Sequence, residues 1–221
     1  MARKQDAGWE LPGPGDVVAG KYEIGDVLGE GGLATVFTAT HVELNQRVAI
    51  KMLNPVWSAD PEVASRFLRE GRAMTQLRSE HAVRVFDAGK SDSGAPYLAL
   101  DYLEGIDLDL LLQRDGPLPV ATAVDYVLQV CEAMAEAHVA GIIHRDLKPA
   151  NLFLTTAPDG SECVKVLDFG ISKVRARPSE LRLTNPSLVM GTPDYMPPEQ
   201  LRSSASADER SDVSVHGGES M

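Results

Sequence analysis

The sequence predicts an α+β chain of two lobes: a β-rich first half with one helix, then a mainly helical second half. Three observations carry this. Residues 22–53 hold short apolar runs of period two, the strand period. Residues 120–138 place apolar side chains at helical spacing. Two of the early strands flank a Gly-rich turn, so the sheet is expected to start antiparallel and not as a strand–helix–strand unit.

The elements follow in order. Residues 1–20 are polar and Gly/Pro-rich, and read as a flexible leader. Tyr22–Leu28 is an apolar, β-branched run ending at a glycine cluster. Val36, Thr38 and Thr40 alternate with Thr35, Phe37 and Ala39 in a second strand, and Arg47–Leu53 forms a third. Asp60 is a good N-cap, and Pro61 suits the first helical position. Val63, Phe67, Met74 and Leu77 share a face of the helix that follows, with Glu70 inserted among them. Val83–Ala88 and Tyr97–Leu103 read as further strands. Pro117 and Pro119 precede the long helix, which carries Val120, Val124, Val127, Leu128, Cys131, Met134 and His138 on one stripe; Gly141 closes it. Leu152–Leu154 and Cys163–Leu167 suggest a hairpin around Pro158-Asp159-Gly160.

Composition excludes several classes. The chain has 221 residues, ample for a buried core, and a net charge of -11, the wrong sign for a non-specific nucleic-acid binder. Two cysteines, Cys131 and Cys163, make no disulfide scaffold and suit a reducing compartment, so a cytoplasmic location is expected. No run approaches the roughly 20 apolar residues of a membrane helix.

Four motifs carry chemistry. Gly29-Glu30-Gly31-Gly32-Leu33-Ala34-Thr35-Val36 is a glycine turn whose backbone could approach a phosphate; taken alone it also fits an ordinary hairpin turn. It matches the dinucleotide pattern G-x-G-x-x-A, but a strand follows where that pattern needs a helix. Lys51 stands on the strand face opposite to Val48, Ile50 and Met52. Glu70, interrupting an apolar helix face, needs a partner there, and Lys51 is the natural one. His144-Arg145-Asp146-Leu147-Lys148-Pro149-Ala150-Asn151 gathers a base, a cation and an amide in one short loop, which packing explains poorly. Asp168-Phe169-Gly170 closes a strand with a carboxylate suited to Mg²⁺ beside phosphate oxygens.

In this order and spacing, the motifs resemble those of the bacterial eukaryotic-like (Hanks-type) serine/threonine protein kinases, over about Tyr22 to Asp212. The resemblance implies a two-lobe kinase fold with ATP and Mg²⁺ as cofactors and protein substrates as partners. It makes Asp146 the catalytic base and Lys148 the Ser/Thr-type loop lysine. Asn151 and Asp168 become the metal ligands. Leu28, Gly29, Gly31, Val36, Ala49, Lys51, Glu70, Asp101, Leu103 and Asp107 become the ATP site, with Leu100 as gatekeeper and Ala34 in place of a third glycine. Arg145 suggests control by phosphorylation of a loop in which Thr184 is the first acceptor and Ser187 the second. Thr192 sits in Gly191–Glu199, which resembles the segment that docks a peptide acceptor.

The expected division is a leader at 1–20, a nucleotide-binding lobe and hinge at 21–103, a partial second lobe at 104–212 and an unstructured tail at 213–221. After Ser211-Asp212-Val213, which matches the start of a helix supporting the catalytic loop, residues 203–221 hold no Leu, Ile, Phe, Tyr or Trp. The sequence therefore reads as a kinase domain truncated at its C-terminal end, leaving the long helix with uncovered apolar surface and a tendency to self-associate. The first functional reading is a protein kinase active in signalling. The second is a weakly active or inactive fragment serving as an ATP-binding or interaction module. His138 is expected to pack, Glu132 and Glu136 to lie on a plain helix surface, and Trp57 to be a local packing anchor.

Overall fold

A computed structural model of the chain describes residues 10–169 and 209–213. Two compact units result, Met1–Thr75 with Arg84–Tyr102, and Gln76–Val83 with Leu103–Met221.

The first unit is built on a six-stranded antiparallel sheet, ordered β1-β2-β3-β4-β6-β5. The strands are β1 (Val17–Val18), β2 (Tyr22–Glu30), β3 (Ala34–His41), β4 (Gln46–Leu53), β5 (Val85–Lys90) and β6 (Pro96–Asp101). Period two does its expected work: Tyr22, Ile24, Phe37, Ala39, Val48, Ile50, Met52, Tyr97 and Ala99 form one buried cluster. The expected leader is corrected at its end. Val18 is buried, β1 pairs with β2, and Gly15 N–H donates to Ile24 O at 2.8 Å. The alternating apolar strand β2 offers a free edge, and residues 15–18 fill it.

Between β4 and β5 lie α1 (Pro55–Ser58) and α2 (Pro61–Met74). Asp60 caps α2, accepting from Glu62 N at 2.9 Å and Val63 N at 3.4 Å. α2 packs on β5 and β6, so closely that a methyl group on Gly71 would meet the Leu98 side chain. Val63, Phe67 and Met74 are buried as expected. Leu77, also buried, lies past the helix end and belongs to the second unit.

One carboxylate organises the edge of this unit. Asp87 Oδ2 accepts from Tyr22 OH at 2.9 Å, Tyr97 OH at 3.1 Å and Lys21 Nζ at 3.2 Å. Burial opposes the charge, but the three donors outweigh it and hold the Asp87 carboxyl below the usual range. Burial, then the carboxylate, pushes both phenols well up.

The second unit contains the sheet β7-β8-β9, from Gly105–Asp107, Leu152–Thr156 and Glu162–Val166. The last two are the expected hairpin, turned at Gly160 with φ +88°. The helices are α3 (Leu108–Asp115), α4 (Val120–Val139) and α5 (Glu209–Val213). α3 starts where Asp107 accepts from Leu110 N at 2.9 Å, and Gly141 follows α4 with φ +72°. α4 buries Tyr126, Val130, Ala133, Met134 and Ala137. The expected stripe is mostly the outer one: Val120, Val124, Val127, Leu128 and Cys131 are exposed. α4 is apolar on more than one side, and its inner side combines Tyr126, Val130 and Met134 with the small Ala133 and Ala137. Among the described residues no helix is long and apolar enough to cross a membrane.

Residues 76–83 join this unit by polar contacts. Arg78 N and Ser79 N donate to the Glu136 carboxylate at 2.9 and 2.6 Å, so Glu136 is no plain surface residue. Val83 N donates to Val166 O at 3.0 Å, and Val166 N to His81 O at 2.8 Å.

At Gly105, φ is +154° and a Cβ would overlap the Leu154 carbonyl oxygen. Gly105→Ala should therefore lower unfolding free energy by about 2 kcal/mol, read as a shift of the urea midpoint.

Candidate active site

The first unit presents its expected groups on one sheet face. Register places Gly29 opposite Val36, Val36 opposite Lys51, and Ala49 opposite Leu100. Directly opposed residues share a face, and so do residues two apart on one strand. Val36, Ala49, Lys51 and Leu100 thus share the face turned away from the Phe37–Ile50 cluster. Lys51 is only 5% exposed, which takes it out of the class of solvated strand lysines. Glu70 is half-buried on α2, between buried Phe67 and Met74. Leu28 is half-exposed near the end of β2, and Gly31 N–H donates to Ala34 O at 3.0 Å to close the turn. Asp101 ends β6.

The second unit holds Leu103, Asp107 and the 144–151 loop. His144 is fully buried; its backbone N–H donates to Asp212 Oδ2 at 2.8 Å, and Arg145 N–H donates to Asp212 Oδ1 at 2.6 Å. Asp146 N–H donates to His144 Nδ1 at 3.2 Å, so Nδ1 is the accepting nitrogen and Nε2–H donates to Leu167 O at 2.7 Å. That is the neutral imidazole. Burial, the largest influence, holds its pKa below the ordinary value despite three nearby carboxylates. The ring lies 5.3 Å from that of buried Phe169.

Three predicted residues meet at one carboxylate. Lys148 Nζ lies 3.3 Å from Asp146 Oδ2. Asn151 Nδ2 donates to the same oxygen at 3.1 Å and to Asp146 O at 2.7 Å. With its nitrogen side turned to Asp146, the Asn151 amide presents Oδ1 the other way. Leu167 N–H donates to Asn151 O at 2.9 Å, which ties the backbone just before Asp168 to the 144–151 loop. Arg145 and Asp168 take φ values of +65° and +57°, uncommon for non-glycine residues. Among the described residues no three His, Cys, Asp or Glu side chains form a cation cage. Mg²⁺ does not need one, because it prefers one or two carboxylates with phosphate oxygens and water. An amide oxygen and a carboxylate are donors of the kind that ion takes.

Two expectations change here. His138 does not pack as an apolar stripe residue; its Nε2 meets Asp212 Oδ2 at 2.9 Å. Trp57 is more than a packing anchor, since its Nε1 donates to Gly32 O at 2.8 Å. Neither partner is near in sequence. Thr184, Ser187, Thr192 and Gly170 lie outside the described residues.

Asp212→Ala would leave one buried and one part-buried backbone donor without their acceptor, and should cost about 3 kcal/mol of stability, measured by denaturant unfolding. His144 gives a pH signature with a definite sign. The unfolded chain takes a proton on this ring near pH 6.5 and the folded chain resists it. Its contribution is therefore complete above about 6.5 and is lost as pH falls below that toward the lower folded value. Stability of the chain should fall between pH 7.5 and 5.5, and His144→Asn should flatten that slope.

The family described as "Protein kinase domain" matches residues 22–217. The chain is 39% identical over 204 residues to serine/threonine-protein kinase pkn3 of Myxococcus xanthus, covering 92% of this chain and 37% of that protein. It is 38% identical over 196 residues to serine/threonine-protein kinase PknB of Mycobacterium leprae, covering 87% of this chain and 30% of that one. The chain thus spans about a third of the length of these curated relatives. The crystal structure of the Mycobacterium tuberculosis PknI kinase domain superposes with a TM-score of 0.70 at 31% identity, covering 91% of this chain and 73% of that one. The Lys51 sheet face and the loop around Asp146 accordingly sit in a chain that belongs to the protein kinase domain family.

Proposed function

We propose that this chain transfers the γ-phosphate of ATP to serine or threonine hydroxyls of protein substrates. The observation that carries the reading is the convergence of Lys148 and Asn151 on the Asp146 carboxylate at 3.3 and 3.1 Å. Asp146 accepts the proton of the acceptor hydroxyl as that oxygen bonds to the γ-phosphorus and the bond to the bridging oxygen of ADP breaks. Lys148, held against the same carboxylate, offsets negative charge on the transferring group and fixes the base. Asn151 binds Asp146 through its nitrogen and keeps its oxygen for a cation, with Asp168 as the second ligand. Bound Mg²⁺ supplies charge neutralisation across the phosphates. Lys51, shielded on the strand face, addresses the α- and β-phosphates, with Glu70 as the carboxylate that would orient it. Val36 and Ala49 supply the apolar contact for the adenine, Leu28 flanks it, the Asp101–Leu103 backbone meets its edge, and Asp107 reaches the ribose. Gly29 and Gly31 let the backbone approach the phosphates.

The same reading covers regulation. Phosphorylation at Thr184, or secondarily Ser187, would place a dianion within reach of arginines such as Arg145, and Thr192 would lie along the docked acceptor. The reaction is assigned to the cytoplasm, where ATP and protein acceptors occur together.

The test is transfer of labelled γ-phosphate from Mg·ATP to the chain itself or to a generic protein acceptor. Asp146→Asn should lower turnover by about 10²- to 10⁴-fold while leaving ATP binding in place. Binding of ATP by the parent chain without any transfer would overturn the enzyme reading and leave a nucleotide-binding module.

A further inference from the structure

The glycine turn is held from one side by the segment around α1. Asn54 Nδ2 donates to Gly31 O at 2.8 Å and, at 3.4 Å, to Gly32 O. Trp57 Nε1 donates to Gly32 O at 2.8 Å. Thr35 Oγ1 donates to Asn54 Oδ1 at 2.8 Å, which fixes the orientation of the Asn54 amide. The Asn54 backbone N–H donates to Leu33 O at 2.9 Å. Three consecutive carbonyls, of Gly31, Gly32 and Leu33, are therefore claimed by one short segment.

The consequence follows from peptide geometry. In a planar trans peptide the C=O and the N–H point in opposite directions, and the described residues contain no cis bond. With the Gly31 and Gly32 carbonyls drawn toward Asn54 and Trp57, the N–H groups of Gly32 and Leu33 turn to the opposite side. Successive N–H groups aimed one way make a concavity that receives an anion. Glycine at 31 and 32 would otherwise leave these peptide planes free to rotate. Fixing them removes an ordering cost that a bound anion would have to meet.

We propose that Asn54 and Trp57 are positioning residues for the nucleotide phosphates, acting by orienting the Gly32 and Leu33 amides and not by touching the ligand. This rests on the kinase reading above and deepens it. Their effect is confined to ligands that carry phosphate. Adenine is held by side chains on the strands, so a ligand without phosphate is indifferent to the turn.

The experiment compares ATP with adenosine by calorimetry on the full chain, in Mg²⁺ and without acceptor. The variants are Trp57→Phe, which keeps the ring and loses the N–H, and Trp57→Phe with Asn54→Asp, which keeps shape and replaces a donor with an acceptor. The double variant should bind ATP about tenfold more weakly, the order expected for two ordinary net hydrogen bonds, and adenosine as the parent does. KM for ATP should rise in step, with kcat changed less. Should the double variant melt early, Trp57→Phe alone carries the comparison, with about threefold weaker ATP binding. Equal loss for ATP and adenosine, or no loss for either, overturns the positioning role while leaving the kinase reading intact. A parent chain that binds neither ligand overturns both.

Discussion

The Asp212 carboxylate is the point on which the reactive loop depends. It accepts from the backbone of His144 and Arg145 and meets the imidazole of His138, while being itself 5% exposed. A buried carboxylate is tolerable only when its lone pairs are used, and here they are used by groups that need acceptors as badly as it needs donors. Arg145 is thereby held at φ +65°, a conformation the backbone would not keep unaided. His144 then links onward, through its ring, to the end of β9 and to the Asp146 amide. Position passes from one buried carboxylate to the side chain that we assign as the base, by hydrogen bonds alone.

The first unit solves a related problem with a sheet. Both faces of β4 are buried from Val48 to Leu53, yet only one face is fully apolar. Putting Val48, Ile50 and Met52 on the core side confines Lys51 to the other, where the half-buried Glu70 of α2 breaks an apolar row. A one-residue slip in register would exchange the two faces and bury a lysine in the main core. The alternation of β3 and β4 therefore fixes both the fold of this unit and the chemistry of its second face.

Much of this was legible in the sequence because it is local. Strand periodicity predicted which side of β4 carries Lys51, and the spacing in the 144–151 loop brought Asp146, Lys148 and Asn151 together within eight residues. What escaped detection is pairing across distance. His138 and Asp212 are 74 residues apart, and Glu136 and Arg78 are 58 apart. A histidine at an apolar helix position looks like packing until its partner is seen. Bonds from side chain to backbone, such as Trp57 to Gly32, leave no sequence pattern, because any residue supplies the carbonyl. The helix α4 misled for another reason: it is apolar on more than one side, so the stripe through Val120, Val124, Val127, Leu128 and Cys131 followed the exposed side, while Tyr126, Val130, Ala133, Met134 and Ala137 form the buried one.

The placement of residues 76–83 bears on how such a domain can be recombined. They lie in sequence between α2 and β5, both in the first unit, but their bonds go to Glu136, His81 sits against Val164 and Cys163, and Val83 joins Val166. The unit boundary is thus crossed three times by the chain, at 75–76, 83–84 and 102–103. A single crossover between homologous genes anywhere upstream of residue 76 or downstream of residue 102 keeps this segment with only one of its two contexts. Exchange of one lobe for a relative's must carry eight residues from the middle of the other lobe's coding sequence. That short excursion keeps the two lobes from being separable as two uninterrupted stretches of coding sequence.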